Sequence, residues 1–396
     1  MRYLLSFFVT CVAIMCFAVP ALAQECGTGC VAIIDLAPEC VPVEPDICPL
    51  QAFPSHDELC VSWLNDDGTY NDDVAHCWQQ TPYATEYLAN NPMFAYPMIG
   101  EGLAPASSSE WGCGIVRAGV AGAGELACFG NAGILTGYPT GEAPYSALSS
   151  GGVDGRFAVL NNVGAIKVWG VVTNGFGSPP TSTGFTELGV GFAAGCAVGI
   201  ANGGVSCWGS DQENLVVNSS KPSSGTYTAV EVGRTVAGAV QDDGTLDMWG
   251  SSRAGSATLV AEFIANRPTG TNVKSFEVGE TGRLIGVAWM TDGTAYIWQD
   301  NGSLSNAIRH APGWYPAGGT GIKTFVPHGP NGNITFRSRL EIAANDVDAQ
   351  ICGVIDDPKG LMTGDSVPVA YQHGDVVCWA QNGDWPRIEA FCVPAQ

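Results

Sequence analysis

The sequence predicts an all-β fold, a seven-bladed β-propeller, from three observations. An aromatic ending, usually Trp-Gly, recurs about every 40 residues. An Asn/Asp-Gly turn precedes most of these endings. Glycine supplies 52 of 396 residues while charged residues make up only 14%. Short β-prone segments joined by tight turns have this composition, and a fixed period of this length marks a repeat array in which each unit is one small sheet.

The endings are Cys77-Trp78, Cys128-Phe129-Gly130, Val168-Trp169-Gly170, Cys207-Trp208-Gly209, Met248-Trp249-Gly250, Ile297-Trp298 and Cys378-Trp379. Successive aromatics lie 51, 40, 39, 41, 49 and 81 residues apart, which defines seven units. Each ending closes a hairpin. In FAVLNNVGAIKVWG (157–170), CAVGIANGGVSCWG (196–209), AGAVQDDGTLDMWG (237–250) and GVAWMTDGTAYIWQ (286–299), an apolar run meets a turn and a second run ends at Trp. Asn, Asp and Gly tolerate the positive φ such turns need.

Upstream of the hairpins lie further β-prone stretches: YSALSSGG (145–152), FTELGVGF (185–192), YTAVEVGR (227–234), VKSFEVGE (273–280) and IKTFVPHG (322–329). No amphipathic helical stretch is expected between units. The first unit, LCVSWLNDDGTYNDDVAHCWQ (59–79), has its hairpin but only a Pro- and Cys-rich lead-in, whereas RIEAFCVP (387–394) reads as an upstream strand with no hairpin after it. Completing one blade from both termini would close the ring and remove exposed sheet edges.

Residues 1–23 read as a signal peptide, with Arg2 at the start, an apolar run over 4–19 and Ala21-Leu22-Ala23 as the cleavage site. The run is shorter than the ~20 residues a membrane span needs, and no later stretch is long and apolar enough to cross a bilayer. The expected organisation is therefore signal peptide 1–23, a Cys/Pro-rich segment 24–56 and a propeller over 57–396, in a secreted protein with no membrane contact after processing. The formal charge of −22 opposes nucleic-acid binding, which requires basic patches.

Export suits the 15 cysteines, because disulfides persist outside the cytosol. Units carry both cysteines or neither: Cys60 with Cys77, Cys113 with Cys128, Cys196 with Cys207, and Cys352 with Cys378. This co-occurrence predicts four bridges between adjacent antiparallel strands, where Cα separations of ~5.5 Å suit a disulfide. Counting twelve residues back from the terminal Trp, the place of Cys196 is held in the other units by Phe157, Ala237 and Gly286. Cys11 and Cys16 leave with the signal peptide, so 13 cysteines stay and Cys26, Cys30, Cys40, Cys48 and Cys392 remain beyond the four pairs; one bond from the N-terminal segment to Cys392 would lock the ring, and the odd count leaves a thiol over.

The phrase Gly-Cys-Ala…Gly-x-Val-x-Cys-Trp-Gly at 195–209 resembles the repeat of the regulator-of-chromosome-condensation propeller superfamily, in the cysteine-bearing version of secreted bacterial proteins. The similarity covers roughly 57–394. It implies seven blades and leaves function open, since members serve in nucleotide exchange, light sensing and inhibition of secreted β-lactamases.

The residues offer no catalytic constellation. His56, His76, His310, His328 and His373 accompany no nucleophile motif. NDDGTYNDD (65–73) lacks the ligand spacing of a calcium loop and matches the other hairpin turns. No metal or cofactor is expected. Trp169, Trp208, Trp249, Trp298 and Trp379 read as core, as do Trp63 and Trp289. The last unit breaks the period through PNGNITFRSRLEIAANDVDA (330–349) and DPKGLMTGDSVPVAYQHGD (357–375), and long loops on a rigid ring are where binding specificity arises. The expected binding residues are Trp314, Tyr315, Phe336, Arg337, Arg339 and Trp385. The expected function is a non-enzymatic module that binds another protein, in its sharpest form an inhibitor of an extracellular enzyme. The alternative is a glycan-binding propeller that uses loop aromatics. Asn218, Asn301 and Asn333 lie in glycosylation sequons.

Overall fold

A computed structural model describes residues 48–54, 58–64, 76–79, 86–88, 94–101, 110–116, 122–130, 137–151, 155–173, 175–199, 204–210, 221–250, 257–279, 284–299, 324–344, 349–362 and 370–380. Among the described residues the chain is all-β apart from one helix, and it runs through a succession of small antiparallel sheets.

The first sheet holds β1 (Cys48–Pro54), β2 (Glu58–Leu64), β3 (His76–Gln79) and β4 (Glu86–Leu88), paired in that order. The second holds β5 (Phe94–Glu101), β6 (Glu110–Val116) and β7 (Leu126–Gly130). The third holds β8 (Tyr145–Gly151), β9 (Arg156–Asn161) and β10 (Ile166–Gly170), the fourth β11 (Glu187–Val190), β12 (Ala194–Val198) and β13 (Ser206–Gly209). The fifth holds β14 (Tyr227–Val232), β15 (Val236–Gln241) and β16 (Leu246–Gly250). Helix α1 (Ala257–Ala265) follows. The sixth sheet holds β17 (Val273–Val278), β18 (Ile285–Met290), β19 (Ala295–Gln299) and β20 (Thr324–Phe325). A small hairpin, β21 (His328–Gly329) and β22 (Gly332–Asn333), leads to β23 (Thr335–Phe336), β24 (Glu341–Ala344), β25 (Ala349–Asp357) and β26 (Val376–Ala380). In this last sheet β25 is central: β24 pairs with its first half, β23 with its final residues, and β26 with Gln350–Val354.

The turns form as their residues require. Gly164, Gly244 and Gly293 close the hairpins at positive φ, and each donates its N–H back three residues, to the carbonyls of Asn161, Gln241 and Met290. Asp243 and Asp292 accept from the backbone N–H of Thr245 and Thr294 at 2.8 and 3.0 Å, the local side-chain bond that favours Asp in turns.

Packing is sheet on sheet. Trp169 lies in the core between the second and third sheets, Trp208 between the third and fourth, Trp249 between the fourth and fifth, and Trp298 between the fifth and sixth. Each therefore faces the sheet before its own, buried as the sequence predicts. The adjacent rung faces the opposite way because side chains alternate along a strand, and it holds the cysteines. Disulfides join Cys113 to Cys128, Cys196 to Cys207 and Cys352 to Cys378, and each pair is a register partnership. Cys60 and Cys77 are register partners too. The Cα atoms of the three bridges lie 4.1, 4.0 and 4.2 Å apart, nearer the spacing of the non-hydrogen-bonded ladder site than the ~5.5 Å expected.

Three expectations are corrected. The residues that replace Cys196 are Ala158, Gly238 and Val287, paired with Val168, Met248 and Ile297; Phe157, Ala237 and Gly286 sit one rung along, opposite the Trp. The 196–207 turn is one residue longer than the others, and a slip of one residue moves a side chain to the other face. Secondly, IKTFVPHG does not form the first strand of the last sheet. Thr324 and Phe325 extend the sixth sheet, Pro327 supplies no N–H with which to continue the ladder, and β24 takes the expected place. Thirdly, the lead-in to the first unit contains a paired strand, β1, within the stretch expected to be a separate N-terminal segment. RIEAFCVP, Trp63 and Trp379 as side chains, and Cys26, Cys30, Cys40 and Cys392 lie outside the described residues.

Helix α1 is also unanticipated. Val260 and Phe263 are buried against the sixth sheet, with the Phe263 ring 5.5 Å from that of Trp298. Arg267 ends the helix by donating to the Ile264 carbonyl at 2.8 Å and to Leu246 of the fifth sheet at 2.9 Å.

The first strands of successive sheets lie against one another: β1 against β5, β5 against β8, then β8 with β11, β11 with β14, β14 with β17, and β17 with β24. Strand β24 in turn lies against β1. Glycines permit this close approach. A Cβ on Gly189 would stand 2.7 Å from the Val230 carbonyl oxygen and 2.8 Å from the Glu231 Cα.

Candidate functional site

Two places gather polar chemistry, both involving the last sheet. The outer one is built from the two stretches that break the repeat. The β21–β22 turn sits on the 358–361 turn, with the Asn331 N–H donating to the Lys359 carbonyl at 2.9 Å. His328 meets Asn333 at 3.0 Å, Thr335 donates to Asp356 at 3.1 Å, and His373 stands 2.8 Å from the Asp356 carbonyl. Lys359 pairs with Asp357, and that hydrogen bond holds the carboxyl below the ordinary range. Met362 is 42% exposed beside them, bridged to Ala370. Strands β25 and β26, tied by the Cys352–Cys378 bridge, hold both stretches in place.

The inner place lies on the first strands. Arg339 enters β24 and donates through Nε to Glu341 at 2.6 Å and through Nη1 to Glu231 of β14 at 3.4 Å. Glu277 of β17 accepts the backbone N–H of Ile342 at 2.5 Å. Glu187 of β11 also feels the Arg339 charge. Burial raises the carboxyls of Glu187 and Glu277, and the Glu341 and Glu231 carboxylates push Glu277 further, against the pull of Arg339. Arg339 itself is held charged, first by Glu341 and then by Glu231 and Glu277. Glu231, Glu277 and Glu341 occupy the same rung of three different sheets, opposite Gly238, Val287 and Cys352. Ser149 holds that rung in the third sheet, and its hydroxyl accepts the Val190 N–H at 2.9 Å. At this rung Ser149 ties β8 to β11 and Glu277 ties β17 to β24, while Glu231 reaches past β17 to Arg339.

No protein-family profile matches the chain. No curated protein matches it either. Among solved structures it is similar to Prp20p of Saccharomyces cerevisiae, described with its binding to Gsp1p and histones, at 13% identity over 76% of this chain and 84% of that one, with a TM-score of 0.49. It is similar to the ectodomain of the Physcomitrella patens receptor kinase CR4 at 16% identity, over 84% of this chain and 72% of that one, with a TM-score of 0.48. The CRINKLY WD40 ectodomain of the Arabidopsis thaliana receptor kinase ACR4 gives 16% identity, 63% and 78% coverage, and a TM-score of 0.42. All three scores lie below 0.5, and the fold rests on the strand pairing of the chain itself.

The residues expected to bind fall in different places. Trp314, Tyr315 and Trp385 lie outside the described residues. Phe336 is 2% exposed, packed among Ile297, Leu340 and Ile355, and so presents no surface to a partner. Arg337 is half-buried and its backbone N–H bonds Val354. Arg339 is engaged with carboxylates of its own chain. Sequence reasoning had no means of finding Glu231 and Glu277, which stand 108 and 62 positions from Arg339; Met362 lies in the 357–375 stretch the sequence singled out, but no motif marks it within that stretch. Asn333 is exposed; Asn218, Asn301 and 65–73 lie outside the described residues. Among the described residues no group of three His, Cys, Asp or Glu side chains is arranged to hold a metal, and no helix is long and apolar enough to cross a membrane.

Proposed function

We propose that this chain is a secreted, seven-bladed propeller of the regulator-of-chromosome-condensation type that binds another protein without transforming it, through the outer loops of its last blade. The ring is supported by the cycle of first-strand contacts that runs from β1 through β24 and back to β1. Secretion is supported by the three disulfides, which are favoured in oxidising compartments and rare in the cytosol, together with the signal-like start of the sequence. The observation that carries the binding surface is the meeting of 328–336 with 357–362 and 370–373 around exposed Met362. The last blade departs from the common plan on one side, as a recognition loop on a fixed scaffold does. Inhibition of an extracellular enzyme is the form of binding this geometry suits, because the loops are braced by the Cys352–Cys378 bridge and lose little freedom on docking.

The test is site-specific photo-crosslinking in the medium into which the protein is secreted. A photoreactive residue at position 362 is expected to trap one protein, and the same residue at Val163, 57% exposed on another blade, is expected to trap none. Equal labelling at both positions refutes the loop assignment. Binding to an arrayed glycan that Met362→Asp abolishes would replace the protein-binding reading with the lectin one.

A further inference from the structure

We propose that Arg339, Glu187, Glu231, Glu277 and Glu341 form a proton-operated latch, which fastens the last sheet to the three before it when Glu277 carries a proton and loosens when Glu277 is ionised. The inference concerns how the ring is held and does not depend on what the ring binds.

The geometry supplies four carboxyl groups from four consecutive first strands and one guanidinium among them. Arg339 directs Nε to Glu341 at 2.6 Å and Nη1 to Glu231 at 3.4 Å, and it acts on Glu277 through its charge. Glu277 is left to the Ile342 N–H at 2.5 Å, a bond that crosses from β17 to β24. That bond uses one carboxyl oxygen. A proton on the other oxygen keeps the bond and adds a donor where the neighbours, Glu231 and Glu341, offer only acceptors. An ionised Glu277 instead places a third negative charge beside one arginine in a half-buried space.

The elements around it bring no relief. Strands β15 (VAGAVQ), β18 (IGVAWM) and β1 (CPLQAFP) contain no basic or carboxylic residue. Lys274, on Glu277's own strand, lies over the Trp289 ring at 3.8 Å. Asp356 and Asp357, at the far end of β25, are occupied by Thr335 and Lys359. The environment acts in the direction the latch needs: burial, Glu341 and Glu231 raise the Glu277 carboxyl well above the ordinary carboxylate range. A carboxyl raised in the folded state contributes stability that is fully present below the unfolded value of about 4.3, and that is lost as pH rises through the folded value.

Hydrogen exchange on the full oxidised chain, at about pH 5.5 and about pH 8 with times scaled for the intrinsic chemical rate, reads the latch. Peptides covering 341–357 are expected to exchange at least ~10-fold faster at the higher pH, one pK unit of coupling. Peptides covering 156–170 are expected to be unchanged. Glu277→Gln keeps an oxygen for the Ile342 N–H without a charge, so it is expected to protect 341–357 equally at both pH values, while Glu277→Ala exposes it at both. Scaled exchange that is the same at both pH values in the wild-type chain overturns the proposal, and so does a Glu277→Gln chain that loosens as the wild type does. Should the variants not fold, carboxyl-carbon NMR of the glutamate-labelled wild-type chain decides the matter. One resonance is expected to titrate far above the ordinary value of about 4.3, and a full set of ordinary midpoints refutes the latch.

Discussion

Trp298 covers Gly286 across one rung of the sixth sheet, and a Cβ at Gly286 would fall well inside van der Waals contact of the indole. The same rung is solved differently elsewhere: Trp249 faces Ala237, and Trp169 stacks on Phe157 with ring centroids 4.8 Å apart. The residue opposite the Trp thus sets where the ring lies. Trp298, pressed onto its glycine, leaves room for Phe263. Gly286→Ala is expected to destabilise by about 1–3 kcal/mol through overpacking. Ala237→Gly, at the equivalent rung, should lose only ~0.5–1 kcal/mol of backbone entropy. Urea unfolding of both variants checks the contrast, and equal losses would mean that the opposing residue does not position the Trp. At this scale the sequence was readable where chemistry is local. Asp243, Asp292 and the glycines after them name their turns. Arg339 was visible only as an unusual charge, because its partners arrive from strands far away in the chain.

Helix α1 is the element that reading the chain as strands alone passed over. ATLVAEFIA is short and apolar, with no charged face on which a helical period would show, and length alone does not separate such a run from a buried strand. Its fixing is tertiary. Phe263 is fully buried on Trp298, Asn266 donates to the Gln299 carbonyl at 3.1 Å, and Arg267 reaches the fifth sheet. Phe263→Ala is expected to lower stability by about 3–5 kcal/mol, whereas Ala261→Lys on the exposed side should stay within ~0.5 kcal/mol; thermal melting of the pair checks both. The hairpins, by contrast, were legible as elements because each carries its own turn and its own Trp. Their relative register was not, since a fixed count from the Trp fails once one turn is a residue longer. Three crossed disulfides each restrict the unfolded chain, an effect on the order of 2–4 kcal/mol apiece. In the unbridged sheets the pairs Ala158–Val168, Gly238–Met248 and Val287–Ile297 take the same positions.

Over the whole molecule, the contact of β1 with β24 is where the proposed closure of the ring is tested. Were the first and last sheets independent, damage to β1 would stay local. Ala52→Pro removes a backbone donor in β1, paired there with Val61. Because β1 lies against β24 and β25, the substitution is expected to speed amide exchange in 341–357 as well as in 58–64, and to leave 187–209 unaffected. Acceleration confined to 58–64 would show an open array. The period of the sequence indicated repeated sheets, but not which strand begins each end, because Cys48–Pro54 carries no hairpin signal and IKTFVPHG carries a misleading one.

The alternation of Trp facing backward and bridge, or its apolar stand-in, facing forward gives the third to sixth sheets two unlike sides, so that part of the stack has a head and a tail. Parting it at any joint would uncover an indole-bearing surface on one lip and a surface lined by a disulfide or its apolar stand-in on the other. These fit each other and not themselves. Copies that exchanged segments could then join only in sequence, each head to the next tail, yielding larger circlets or open chains in place of two-fold pairs.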